Sequence, residues 1–292
     1  MVRGSFKSLA ICAILSIAVG VPASAHVRHH PHLLTNPQLD AALVIDAASD
    51  HVLFARNEEA ERHPASLTKM MTLYLLFQEL RDHRITLDTP FPVSDYAASM
   101  PRAHLKLKPG TTIDAEDAIK AIVVCSANDA AVATAEALGG GSEGKFVEMM
   151  NAQALALGMT HTVYRNASGL PDERQVTTAG DLAVLARHLV YDFPEYFPYF
   201  RTRSMTWDGR DYNTHDMLIG NYPGADGIKT GYIDTSGYNL VTSVQRGTTR
   251  LIAVVMGGVT AARRDQEMVN LLDSAFADMK LHADGGELSA FR

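Results

Sequence analysis

Residues 70–77, MMTLYLLF, are apolar or aromatic at every position except Thr72. A stretch greasy on all sides suits neither a surface helix nor a half-buried strand; it predicts a buried helix that the rest of the chain must cover. With 292 residues, 47% of them hydrophobic and 20% charged, the chain has enough material for one large domain or two small ones, and the disordered and fibrous classes are excluded. Immediately before the apolar run, in HPASLTKMMT, stands Lys69, three residues after Ser66.

Ser66 by itself predicts a helix N-cap with Pro64 just outside it. That reading leaves Lys69 unexplained. It would stand at the third helical position, where a capping box takes Glu or Gln and the helix dipole disfavours a cation, inside surroundings that penalise a charge. A functional pairing uses the same facts. Positions i and i+3 share a helix face, so the Lys69 amine can reach the Ser66 hydroxyl. Desolvation and the positive helix end lower its pKa, which makes a neutral amine available as base, and the helix N-terminus offers N–H groups to an oxyanion. The spacing alone is weak, because Ser142 and Lys145 repeat it after three glycines, beside Glu143, in a context that reads as a solvated helix start.

The formal charge of −7 becomes −9 once the first 25 residues, which carry Arg3 and Lys7 and no acid, are set aside, and this argues against a nucleic-acid partner. Those residues read as an export signal: two basic residues, an apolar run over 9–21 too short for a membrane span, then Ala23-Ser24-Ala25. The mature chain then starts near His26 and keeps one thiol, Cys125, so no internal disulfide is expected and a periplasmic location is. The sequence HVRHHPH over residues 26–32 reads as a flexible leader rather than a metal site, and without H-E-x-x-H or paired Cys spacing no metal or other cofactor is expected.

Strand-like runs at 41–49 and 51–57 flank Asp50 as a hairpin. Residues 112–138 read as helical twice over, broken at Ser126-Ala127, and further helices are predicted over 142–158 and 177–191. Asp208-Gly209 signals another hairpin, and three strand-like runs, GIKTGY, GYNLVTSVQ and RLIAVVMGG, precede a last helix over 262–279. This order describes an α+β domain over 38–281 whose sheet is completed by both ends of the chain, after a signal at 1–25 and a leader at 26–37.

Two further motifs stand in the chain. CSANDAA places Ser126 and Asn128 between two helices, where a cap and a catalytic loop are both open; GIKTGY places Lys229, Thr230 and Gly231 on a strand, where an edge-strand lysine and a turn glycine would also fit. S-x-x-K, S-x-N and K-T-G in that order form the signature set of the penicillin-interacting serine enzymes. With PASLTKMMT, SANDAA, GIKTGY, GYNLV and VVMGG, the chain resembles the low-molecular-mass D-alanyl-D-alanine carboxypeptidases from about Ala41 to about Met279.

The resemblance implies a β-lactamase/DD-peptidase-like α/β fold, an antiparallel sheet flanked by helices beside a helical subdomain, with the active site between them. It implies Ser66 as acylated nucleophile, Lys69 as its proton acceptor and Ser126 as relay to the leaving D-alanine. Asn128 would hold the peptide carbonyl, Lys229 and Thr230 would face the substrate carboxylate, and Gly231 would leave room for the substrate along the strand. The N–H groups of Ser66 and Tyr232 would form the oxyanion hole. A terminal carboxylate calls for a second cation, for which spacing favours Arg264 over Arg263; a surface arginine in the first turn of the last helix is the other reading.

Peptidoglycan stem peptides are the implied substrates and β-lactams the implied covalent inhibitors. Ala127 and Tyr232 depart from residues common in relatives, and the tail over 282–292 shows no amphipathic apolar face, so no stable membrane anchor is expected. No E-x-x-L-N segment lies between the second and third motifs, which argues against a class A β-lactamase. An endopeptidase cutting cross-links shares every motif, and a non-catalytic wall-binding protein is the reading furthest from an enzyme. For Cys125, packing is the expected role.

Overall fold

The computed structural model describes Met1 and residues 34–283 apart from Arg102, so the expected signal, the His-rich leader and most of the expected tail lie outside the described residues. The chain enters through β1 (Ala41–Asp46) and β2 (Val52–Arg56), an antiparallel hairpin that turns at Asp50, a non-glycine residue at φ 61°. A helical block follows. It comprises α1 (Lys69–Arg81), a small ribbon of β3 (Pro90–Pro92) and β4 (Thr112–Asp114) enclosing α2 (Asp95–Ala98), then α3 (Ala115–Val124), α4 (Asn128–Leu138), α5 (Glu143–Ala156) and α6 (Ala179–Asp192). The chain returns through the hairpin β5 (Ser204–Trp207) and β6 (Arg210–Asn213), the strands β7 (Ala225–Ile233), β8 (Gly237–Arg246) and β9 (Thr249–Gly258), and α7 (Ala261–Ala283).

Five strands form one antiparallel sheet in the order β2-β1-β9-β8-β7, so the first and last strands of the chain lie side by side, with Ala41 opposite Met256 and Asp46 opposite Leu251. Alternation along the central strands explains why RLIAVVMGG is an unbroken apolar run. Ile252, Val254 and Met256 join Leu43, Ile45 and the helical block in one core, while Leu251, Ala253 and Val255 join Ala42, Val44, Met268 and Leu272 in a second core under α7. Both faces of the sheet are covered, and each face takes every second residue.

The apolar run 70–77 lies in α1, and apart from Thr72 all of it belongs to the larger core, as the sequence requires. Two local readings change. Residues 112–114 are a short strand rather than the start of a helix, because their backbone pairs with residues 90–92 across from Phe91 and Ile113. Ser66 caps no helix: it sits in a 3-10 turn over Ala65–Thr68, and Lys69 is the first residue of α1, not its third. No helix among the described residues is long and apolar enough to cross a membrane.

Candidate active site

The 3-10 turn carrying Ser66 is fixed from two sides by glycines. Ala65 is held at φ 49°, and Gly169 packs so closely that a Cβ there would stand 2.9 Å from the Ser66 nitrogen and closer still to the Ala65 carbonyl. On the other side a Cβ at Gly231 would come within 3.1 Å of the Ser66 nitrogen and the Pro64 oxygen. Gly231 thus lets β7 fit closely against the nucleophile turn, where a Cβ would have to push its neighbours aside by a few tenths of an ångström; the sequence reading assigned its missing side chain to substrate room alone.

Lys69 is fully buried, and its Nζ donates to Ser66 Oγ at 3.1 Å, to Asn128 Oδ1 at 2.7 Å and to the Ser168 carbonyl. Burial, and then the positive charge of Lys229, push its pKa well below the ordinary lysine range. In its neutral form the amine keeps two N–H donors, enough for Asn128 Oδ1 and the Ser168 carbonyl, and can turn its lone pair to the Ser66 hydroxyl proton.

Ser126 occupies the junction of α3 and α4 at φ 56°, and its buried hydroxyl has no hydrogen-bond partner among the described residues. Asn128 opens α4. Its N–H donates to the Ala103 carbonyl at 2.6 Å and its side-chain amide to the Pro101 carbonyl at 3.1 Å, so the amide expected to meet a substrate carbonyl is here engaged by the facing segment. The next residue, Asp129, is wholly buried and accepts the N–H groups of Leu105 and Leu107, which clamps that segment over the start of α4.

Lys229 and Thr230 lie on β7, the edge strand of the sheet. Lys229 is 2% exposed and donates to the Thr230 carbonyl at 3.0 Å, and burial brings its pKa down to about 8. Arg264, 3% exposed in the first turn of α7, is gripped by Asp265 at 2.6 Å and by the Asn239 carbonyl at 3.3 Å. Tyr232 is half exposed, stacks on Tyr238 with ring centroids 4.3 Å apart, and donates to Asp234.

These groups meet at a cleft of about 500 Å³ whose wall includes Ser66, Ser126, Asn128, Thr230, Gly231, Tyr232 and Arg264. Lys69 and Lys229 lie buried beside it, and Arg263 is not among its lining residues. The second S-x-x-K pair stays apart: Ser142 caps α5 by accepting the Lys145 N–H at 3.3 Å, and Lys145 is exposed. Cys125 is buried and donates to the Ala121 carbonyl, which agrees with packing. Among the described residues no group of three or more His, Cys, Asp or Glu could hold a metal ion.

Sequence reading missed the loop at 166–170. Asn166 Oδ1 accepts the N–H groups of Ser168, Gly169 and Leu170, and Glu143 accepts that of Ala167. Together they aim the Ser168 carbonyl at Lys69 and seat Gly169 on Ala65. A backbone carbonyl leaves no residue-type signal, although an Asn three residues before a Gly is a recognisable Asx-turn cue. His215 and Met217, which also line the cleft, were missed as well.

The chain is 34% identical over 253 residues to the D-alanyl-D-alanine carboxypeptidase DacF of Bacillus subtilis, an alignment that covers 83% of this chain and 63% of that protein. It thus spans a little under two thirds of the length of the curated relatives it matches. Among solved structures it is similar to penicillin-binding protein 5 of Haemophilus influenzae, with a TM-score of 0.80 and 31% identity, covering 85% of this chain and 72% of that one. It is also similar to the ampicillin-bound form of penicillin-binding protein D2 of Listeria monocytogenes, with a TM-score of 0.71 and 29% identity over 84% of this chain and 98% of that one. The family model described as D-alanyl-D-alanine carboxypeptidase matches residues 29–260, and the chain belongs to that family, peptidase S11.

Proposed function

We propose that this protein is a serine DD-carboxypeptidase that removes the terminal D-alanine from peptidoglycan stem peptides and is acylated by penicillin. The observation that carries the reading is the buried Lys69 amine 3.1 Å from Ser66 Oγ in a cleft that also holds the other two motifs. Ser66 Oγ attacks the penultimate D-alanine carbonyl as its proton passes to Lys69 Nζ. The N–H groups of Ser66 and Tyr232 receive the developing oxyanion. Collapse breaks the peptide bond, and Ser126 relays the proton from Lys69 to the leaving amine. Water then attacks the acyl ester as its proton passes to Lys69; the acyl–Oγ bond breaks, Lys69 returns that proton to Ser66 Oγ, and the shortened peptide leaves as its carboxylic acid. Lys229 and Arg264 supply the cationic wall for the terminal carboxylate, Thr230 lines its path and Asn128 steadies the acyl side.

Residues 38–281 form the catalytic domain in this reading, placed in the periplasm by a signal over 1–25. Kinship with a protein seen bound to ampicillin supports covalent β-lactam binding at Ser66. Intact-mass measurement after penicillin treatment is the test: the adduct is expected in the unaltered protein and in Ser142→Ala and absent in Ser66→Ala. An unaltered protein that takes up no penicillin would sink the reading. Cross-linked dimers cut in preference to pentapeptides would replace carboxypeptidase by endopeptidase.

A further inference from the structure

The segment between β6 and β7 adds His215 to the cleft wall, within electrostatic reach of Arg264. The imidazole is exposed, and neither ring nitrogen has a hydrogen-bond partner among the described residues. The charged groups around it come from three elements: Lys229 from β7, Arg264 with its partner Asp265 from α7, and the neighbouring Asp216. Although the residue keeps more than a third of its surface exposed, partial desolvation of the ring at the cleft wall, then Lys229 and Arg264, hold the His215 pKa below that of an ordinary histidine. Asp216 feels Arg264 and Lys229 as well, and burial raises its pKa to about 6. It is 4% exposed, accepts the Leu218 N–H at 2.9 Å through Oδ1, leaves Oδ2 without a partner, and is not among the residues lining the cleft.

An imidazole that no hydrogen bond holds, in a cleft wall that includes Arg264 and has Lys229 buried beside it, has no structural task. We propose that His215 is a third binding group for the anionic end of the substrate, uncharged in the free protein and protonated in the complex. In the empty cleft Lys229 and Arg264 repel a third positive charge. A carboxylate between them reverses the sign of the local field, and His215 takes a proton from solvent and donates it in a hydrogen bond to the carboxylate. Binding of a peptide with a free C-terminus is thereby coupled to proton uptake, and discrimination against an amidated end grows as pH falls. The inference rests on the carboxylate pocket of the proposed function.

The test is titration calorimetry of the full-chain Ser66→Ala protein with a diacetylated tripeptide ending in D-Ala-D-Ala, at about pH 6.5 in two buffers of different ionisation heat. At that pH Lys229, with its pKa of about 8, is already protonated and contributes little uptake. Expected is uptake of roughly 0.3 proton or more per complex, and an affinity that rises severalfold between about pH 7.5 and 5.5. In Ser66→Ala/His215→Gln both effects vanish, while affinity at the upper pH stays within about twofold. In Ser66→Ala/Asp216→Asn the uptake persists. Uptake that survives His215→Gln, or disappears with Asp216→Asn instead, overturns the role of His215. Preference for the acid peptide over its amide without any uptake overturns it too, and leaves the carboxylate pocket standing. Equal binding of acid and amide peptides overturns both, whereas the penicillin adduct at Ser66 is judged separately.

Discussion

Two buried lysines serve the same cleft in different ways, and the difference lies in their partners. Lys69 has three oxygen acceptors, whereas Lys229 has one carbonyl and no carboxylate within ion-pair distance among the described residues. The Lys229 pKa of about 8 sets a sign: its ammonium is lost as pH rises through that value, so kcat/KM for carboxylate-ended peptides is expected to fall above about pH 8. In Lys229→Arg, whose cation does not titrate there, the fall should move to higher pH even if the rate is lower. Because folding depresses this lysine's pKa, its charge opposes folding fully below about 8, and the opposition fades as pH rises from there and is gone above the ordinary lysine value. Lys229→Met is therefore expected to gain about 1–3 kcal/mol in urea unfolding at neutral pH while losing peptidase activity. A loss of stability would show that the ammonium is better satisfied than its single hydrogen bond implies.

Among the elements, the loop at 166–170 and the strand β7 grip the nucleophile turn from opposite sides. Removing the Asn166 side chain strands three N–H groups and releases the Ser168 carbonyl from Lys69, so Asn166→Ala should slow penicillin acylation at least about tenfold and cost about 1–3 kcal/mol. Asn166→Asp keeps the accepting oxygen and should retain most of the rate in stopped-flow acylation. If both variants acylate at the unaltered rate, the loop does not position Lys69. On the strand side, Gly231→Ala sets a methyl 3.1 Å from the Ser66 nitrogen; acylation should drop roughly 10- to 100-fold with a smaller change in melting temperature. The sequence made the strand, the glycine and the buried helix legible, since each follows from local pattern. It misplaced Ser66 and Lys69 by part of a turn, because a 3-10 turn under Ala65 at φ 49° is imposed by Gly169, a residue about one hundred positions away.

For the whole molecule, the sheet separates the cleft from a second, supporting core. The cleft lies at the β7 edge toward the helical block, while α7 covers the far face with Met268 and Leu272, and Arg56 ties β2 to Asp40 at 2.6 Å and to Glu267 of α7 at 2.7 Å. Leu272→Ala opens a cavity in that second core and should cost about 2–5 kcal/mol in denaturant unfolding without changing the penicillin acylation rate at low temperature. An altered rate would mean that the two faces are coupled through the sheet.

By itself the sequence determined the helix that had to be buried, the apolar runs that form the strands, and the order of three motifs whose residue types suit acyl transfer. Those follow from periodicity and side-chain chemistry, which are local. Only the tertiary structure decided that Ser66, Ser126 and Thr230 share one cleft with Lys69 and Lys229 buried beside it, that Ser142 and Lys145 do not join them, that the Ser168 carbonyl in the loop held by Asn166 meets Lys69, and that His215 lines the cleft. The physical reason is the same in each case. Burial of an amine, the aim of a backbone carbonyl and the field at an imidazole are set by what packs against them from distant parts of the chain, and none of these is encoded by neighbours in sequence.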